Sequence, residues 1–116
     1  MENNKYIGQT ILEQLGGNKF LVMTGCKNLL WDNENSTLRM TIPKNGSKAN
    51  RLWITYNWGT DTYTMRFFKY VAPRLNTKTY TFSEEKITEV AKFEEIYCDQ
   101  LEELFTEVTK MYTRLW

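Results

Sequence analysis

Arg51-Leu52-Trp53-Ile54-Thr55-Tyr56-Asn57-Trp58, followed by Gly59-Thr60-Asp61 and then Thr62-Tyr63-Thr64-Met65-Arg66-Phe67-Phe68-Lys69-Tyr70-Val71, decides the fold. Two alternating runs rich in aromatic and β-branched residues flank a short polar break, which is the pattern of a β-hairpin. Successive side chains of a strand point to opposite faces, so Leu52, Ile54 and Tyr56 share one face with Tyr63, Met65 and Phe67. Trp53, Thr55, Asn57, Thr64, Arg66 and Phe68 share the other. The first face is aliphatic and aromatic and calls for burial. The second is basic, threonine-rich and aromatic, and is expected to stay open to solvent or to a partner.

Working outward, residues 37–42 alternate Leu38, Met40 and Ile42 with Thr37, Arg39 and Thr41 until Pro43 removes a ladder donor, which predicts a further strand. Its outward side has the chemistry of the outer hairpin face. Asn33-Glu34-Asn35-Ser36 before it and Lys44-Asn45-Gly46-Ser47-Lys48 after it read as polar turns. Ile7, Ile11, Leu12 and Leu15 recur at helical spacing, so residues 5–15 are expected to form a short amphipathic helix closed by Gly16-Gly17-Asn18. Lys19-Phe20-Leu21-Val22-Met23 reads as a strand apolar on both sides, stopped by Thr24-Gly25. The first of these glycine segments reads as a helix end and the second as a turn. Neither has the spacing of a phosphate-binding loop, although Lys27 beside Thr24-Gly25-Cys26 is the residue such a loop would use.

Residues 72–83 carry no clear period, with a short strand conceivable over 77–82. Ile87, Val90, Phe93 and Tyr97 suit a helix continuing into the next segment, whereas Ile87, Glu89, Ala91 and Phe93 also read as one side of a strand. From Ile96 to Tyr112 the stripe Leu101, Leu104, Phe105, Val108, Met111 predicts a helix, with acids toward its positive N-terminal end. The expected fold is one α+β domain over residues 1–116. Its antiparallel sheet has four to five strands in a meander, is covered on one face by the C-terminal helix, and is accompanied by a short N-terminal helix.

Composition narrows the function. The chain has 116 residues, 41% hydrophobic and 25% charged, ordinary values for a domain with one core, while 15% aromatic residues is high. There is no histidine, so the commonest general acid–base group is missing, as are Ser–His and Cys–His nucleophile pairs. Cys26 and Cys98 are the only cysteines and lack partners for a zinc site. Asp61 beside the hairpin break reads as a turn residue bonding nearby backbone amides rather than as a catalyst. Glu85-Lys86 and Glu89 with Lys92 read as solvated charges rather than a nuclease cluster. The chain is therefore read as a non-enzyme with no metal and no cofactor. No run is long enough for a membrane span and residues 1–15 lack a signal-peptide core, so the expected location is the cytoplasm.

The net charge of +1 hides an asymmetry: residues 1–83 carry 11 Lys/Arg against 5 Asp/Glu, and residues 84–116 carry 4 against 9. Two binding surfaces follow. The basic one is the outer sheet face, with Arg39, Trp53 and Arg66 central and Lys44, Lys48 and Arg51 at the rim, suited to stacking and phosphate contacts with nucleic acid. The acidic one comprises Glu94, Glu95, Asp99, Glu102 and Glu103, suited to a basic groove on a protein. A homodimer through the outward aromatics is a third arrangement. For each surface the plainer reading is structural: cross-strand pairing for the first and a solvated face for the second.

The chain resembles a family of small proteins encoded by bacteriophages and prophages. The resemblance rests on Ile11-Leu12, Gln14-Leu15-Gly16-Gly17-Asn18, Phe20, Met23-Thr24-Gly25, Lys27-Asn28, Asp61, Tyr63-Thr64, Phe67, Tyr97, Asp99, Leu101, Phe105, Thr109 and Tyr112-Thr113. It leaves residues 72–85 uncovered, favours a strand over residues 86–93, and implies an origin on a mobile genetic element, which would make the cytoplasm that of a host cell; separately, the acidic surface would suit an accessory protein that blocks a host defence factor.

Overall fold

The computed structural model of the chain describes residues 2–32 and 34–111, with side chains from Gly8 onward. Asn33, Tyr112 and Thr113 lie outside them, as does the side chain of Ile7. Helix α1 (Glu2–Leu15) is followed by α2 (Asn18–Thr24) and by strands β1 (Lys27–Asp32), β2 (Thr37–Thr41), β3 (Arg51–Asn57) and β4 (Thr62–Val71). Two short strands, β5 (Leu75–Asn76) and β6 (Thr81–Phe82), precede β7 (Lys86–Ile96), a 3-10 turn (Cys98–Gln100) and helix α3 (Leu101–Thr109). The main sheet is antiparallel throughout in the order β1-β2-β3-β4-β7, and β5 pairs only with β6.

The alternation of residues 51–71 sets the register. Leu52 stands opposite Phe67, Ile54 opposite Met65, Tyr56 opposite Tyr63, and Trp53 opposite Arg66. Leu52, Ile54, Met65 and Phe67 are fully buried. Helix α3 covers them: its buried residues Leu101, Phe105 and Thr109 fall at i, i+4 and i+8, and the Phe105 ring lies 6.4 Å from Phe67 and edge-on to Phe20 at 4.9 Å. Ile11 and Leu15 of α1 join the same core. Full burial of one such side chain contributes about 1.5–3 kcal/mol.

Two expectations are corrected, the strand over residues 19–23 and the start of the last helix at Ile96, while the strand favoured over residues 86–93 is present. The stretch 19–23 is helical: Phe20 and Thr24 are buried one turn apart while Val22 is 75% exposed, and left-handed Gly25 closes the helix by donating its N–H to Leu21 O. The apolar run Phe20–Met23 has no period of its own, and the glycines flanking it fit a helix of about two turns. That closure also engages the Gly25 amide, while the Cys26 amide donates to Thr24 Oγ1 and Lys27 opens β1, so no phosphate loop forms there. The segment Lys86–Ile96 is a strand, paired along β4 with two irregularities that put Phe93 opposite Met65 and Lys92 opposite Arg66. Helix α3 is correspondingly short, entered through a turn in which the Tyr97 N–H donates to Gln100 Oε1 and ended by left-handed Lys110.

Between β2 and β3 the loop turns toward the helical layer. The Gly46 N–H donates to Thr109 O, and a Cβ on Gly46 would meet that oxygen at 2.9 Å and Lys110 Cβ at 2.8 Å. A backbone atom cannot swing aside, so Gly46→Ala is expected to destabilise by about 1–3 kcal/mol, read as a lower urea midpoint. Gly59→Ala, where nothing lies within 4 Å, shifts it by less than about 0.5 kcal/mol.

Candidate binding site on the open sheet face

The face turned away from the helices is a basin of about 390 Å3, within the range of small-ligand sites. Arg39 of β2, Arg51 and Trp53 of β3, and Arg66, Phe68 and Tyr70 of β4 line it, and no carboxylate does. Leu30 of β1 and Ile87 of β7 stand at the two sheet edges, both about half exposed.

Cross-strand neighbours explain the grouping. Arg39 pairs with Trp53, Trp53 with Arg66, and Arg51 with Phe68. The Arg39 guanidinium carbon lies 4.3 Å from the Trp53 ring centroid, and that of Arg66 lies 4.5 Å from Phe68 and 5.7 Å from Trp53. Trp53 meets Phe68 edge-on at 5.3 Å, and Arg51 lies 5.4 Å from the ring of Tyr70. Cation and ring therefore alternate across three strands. Each such contact is worth about 0.5–1 kcal/mol where water reaches it. Phe68, although on the open face, is buried beneath this layer.

Carboxylates hold two arginines from outside the basin. Asp32 Oδ2 accepts from Arg39 Nη2 at 2.7 Å, and both oxygens of Glu89 accept from Arg66 Nε at 2.9 and 3.0 Å. Arg51 makes no ion pair among the described residues. Arg39 Nε is buried with no acceptor among them. Asp32 also accepts from the side chain and backbone of Asn35 and from the Glu34 amide. The Asn35 side-chain bond, with the other amides and Arg39, holds the Asp32 carboxyl below its ordinary value. Tyr70 donates its hydroxyl to Glu85, a bond that pushes the phenol up.

Of the six residues assigned to the basic face from sequence, Arg39, Arg51, Trp53 and Arg66 come together. Lys44 and Lys48 are exposed but do not line the basin, because their loop is drawn to the C-terminus of α3 at Gly46. Tyr70 belongs to the basin by extension of the parity that placed Phe68. Leu30 had no signal, since β1 is short and is interrupted by left-handed Asn28. Asp61 takes a left-handed turn conformation and accepts the Tyr56 hydroxyl at 2.5 Å, a bond that pushes Tyr56 up to about 12. Its partner is thus a phenol and not the backbone amides expected. Cys26 is buried, and burial raises its thiol, while Cys98 is exposed; both are free.

The acidic residues do not share one helix face. Glu94 and Glu95 end β7, Asp99 lies in the 3-10 turn, and Glu102 and Glu103 open α3. Glu94 pairs with Lys92 at 3.4 Å, and exposed Tyr97 stands among them in sequence. No group of three potential metal ligands occurs among the described residues, and no described helix is long and apolar enough to cross a membrane. Set against protein-family models, curated proteins and solved structures, the chain matches none of them.

The lowered Asp32 carboxyl has a definite pH signature. A carboxyl whose folded pKa lies below its unfolded one stabilises the fold above the unfolded value, and that contribution is lost as pH falls through the folded value. Asp32→Asn is therefore expected to lower the urea midpoint at pH 7, and the curves of the two proteins converge below the ordinary carboxyl value of 3.8.

Proposed function

We propose that the chain is a non-catalytic binding protein whose open sheet face takes single-stranded nucleic acid, with phosphates on Arg51 and Arg66 and bases laid over the arginine and aromatic layer. The supporting observation is the basin itself, where three arginines and three aromatic rings converge with no lining carboxylate. Arg39 already covers one face of Trp53, so a base stacks on the guanidinium plane or on the exposed rims, both common platforms for unpaired bases. The pairing of Arg39 and Arg66 through one edge each leaves further N–H groups of both for phosphate oxygens. On the resemblance to phage-encoded chains, such a protein serves as an accessory factor of a mobile element inside a host cell.

A second reading keeps the same origin and replaces the ligand with a host protein. Exposed Tyr97, near Glu94, Glu95, Asp99 and Glu103 in sequence, favours it, since an exposed aromatic side chain is a frequent anchor of protein contacts. Charge reversal at Glu94 and Glu103 then abolishes capture of the partner and leaves oligonucleotide binding unchanged.

Titration of a labelled single-stranded oligonucleotide over a range of salt tests the first reading. Affinity falls with salt, and Arg51→Ala flattens the slope of log K against log salt by about 0.7, the loss of one single-strand phosphate contact. Absence of binding to single and double strands alike at low salt contradicts it.

A further inference from the structure

Lys27 opens β1 opposite Thr41, and Thr41 stands opposite Arg51. Residues directly opposite in an antiparallel pair share a face, so Lys27, Thr41 and Arg51 form one row across the first three strands of the open side. A second row, Leu30, Arg39, Trp53 and Arg66, runs beside it. The irregularity between Lys27 and Leu30 is what leaves both residues in register with the open face. Asn28, left-handed within that irregularity, lines the basin and donates its side-chain amide to Thr41 Oγ1 at 3.3 Å. Cys26, just before, is buried, while Lys27 is exposed.

The two rows differ in how their charge is balanced. Arg39 is paired with Asp32 and Arg66 with Glu89, whereas Lys27 and Arg51 make no ion pair among the described residues. Arg51 Nη1 donates to Asn50 O, a neutral acceptor that leaves its charge uncompensated. Asp32 lies at the other end of β1 from Lys27 and is engaged by Arg39 and Asn35. Beyond β4 the signs alternate along the chain: Glu85 accepts the Tyr70 hydroxyl, Lys86 follows it, Glu89 holds Arg66, and Lys92 pairs with Glu94. A polyanion therefore meets unbalanced positive charge between β1 and β3 and a mixed surface past β4.

The spacing suits a phosphate track. With strands about 4.8 Å apart and a rise of about 3.4 Å per residue, Lys27 stands about 10 Å from Arg51, and Arg51 about 8 Å from Arg66. The three cations border two sides of the platform formed by Arg39 over Trp53. A lysine meets phosphate as a mobile point charge and needs no fixed geometry.

We infer that Lys27 binds a phosphate of the single strand, whose backbone crosses the β1 edge and follows Lys27, Arg51 and Arg66 around the platform on which its bases lie. The inference rests on the nucleic-acid reading above and adds to it a binding residue, an edge of entry and a path transverse to the β-strands.

A labelled oligothymidylate of about ten nucleotides, titrated over a range of salt, is the probe. Lys27→Ala is expected to flatten the slope of log K against log salt by about 0.7, and Lys27→Ala combined with Arg51→Ala by about 1.4. Lys44→Ala removes an exposed lysine of the loop drawn to α3 and leaves the slope at its wild-type value. Both single lysine variants keep the wild-type circular dichroism spectrum and urea midpoint. A wild-type slope in Lys27→Ala, or equal flattening in Lys44→Ala, overturns the inference, while the reading it rests on stands if Arg51→Ala still flattens the slope. Absence of binding by the wild type at low salt overturns both.

Discussion

The register of β3 against β4 is the constraint on which the rest depends. With Leu52 opposite Phe67 and Ile54 opposite Met65, one face of the hairpin receives only side chains that water rejects, and α3 and the residues of α1 close over it. The same register puts Trp53 opposite Arg66 on the far side. Because the side-chain period of a strand is two, a slip of one residue would send Trp53 and Arg66 into the core and Ile54 and Met65 to the surface. Burying an arginine without a partner costs several kcal/mol, so the core and the open face enforce one another.

The open face solves a second problem, the exposure of large rings on an uncovered sheet. Trp53 and Phe68 are shielded by guanidinium groups rather than by another layer of structure. A guanidinium is weakly hydrated and planar, so it lies on a ring and keeps its edge for hydrogen bonds. Asp32 and Glu89 occupy part of those edges and hold two of the arginines in place. The result is an uncovered surface whose rings and guanidinium groups hold one another in place and that still presents cationic N–H groups.

What the sequence disclosed follows the strength of its periods. The hairpin is legible because residues 51–57 and 62–71 alternate on either side of one short polar break, and its outer face follows from that parity down to Phe68. The fold class follows from the same hairpin and the i, i+4 stripe of α3. Residues 19–23 misled because an apolar run with no polar interruption fits either element, and the left-handed turn at Gly25 decides it. The strand Lys86–Ile96 was ambiguous because two register irregularities disturb its alternation. Lys44 and Lys48 fell outside the basin for a reason no local pattern reveals, the long-range bond from Gly46 to Thr109. Residues 72–83 show no period beyond a short strand conceivable over 77–82, of which Thr81 and Phe82 are paired, because a two-residue ribbon exposed on both faces leaves no alternation to read.

The arrangement of Trp53 between Arg39 and Arg66 on the face opposite the helices is the central claim, and nuclear Overhauser contacts in solution read it directly. The Trp53 ring protons are predicted to show contacts to the side chains of both Arg39 and Arg66 and to the ring of Phe68, and none to Phe105. Contacts from Trp53 to Phe105 or Leu101, with none to the two arginines, would contradict the account.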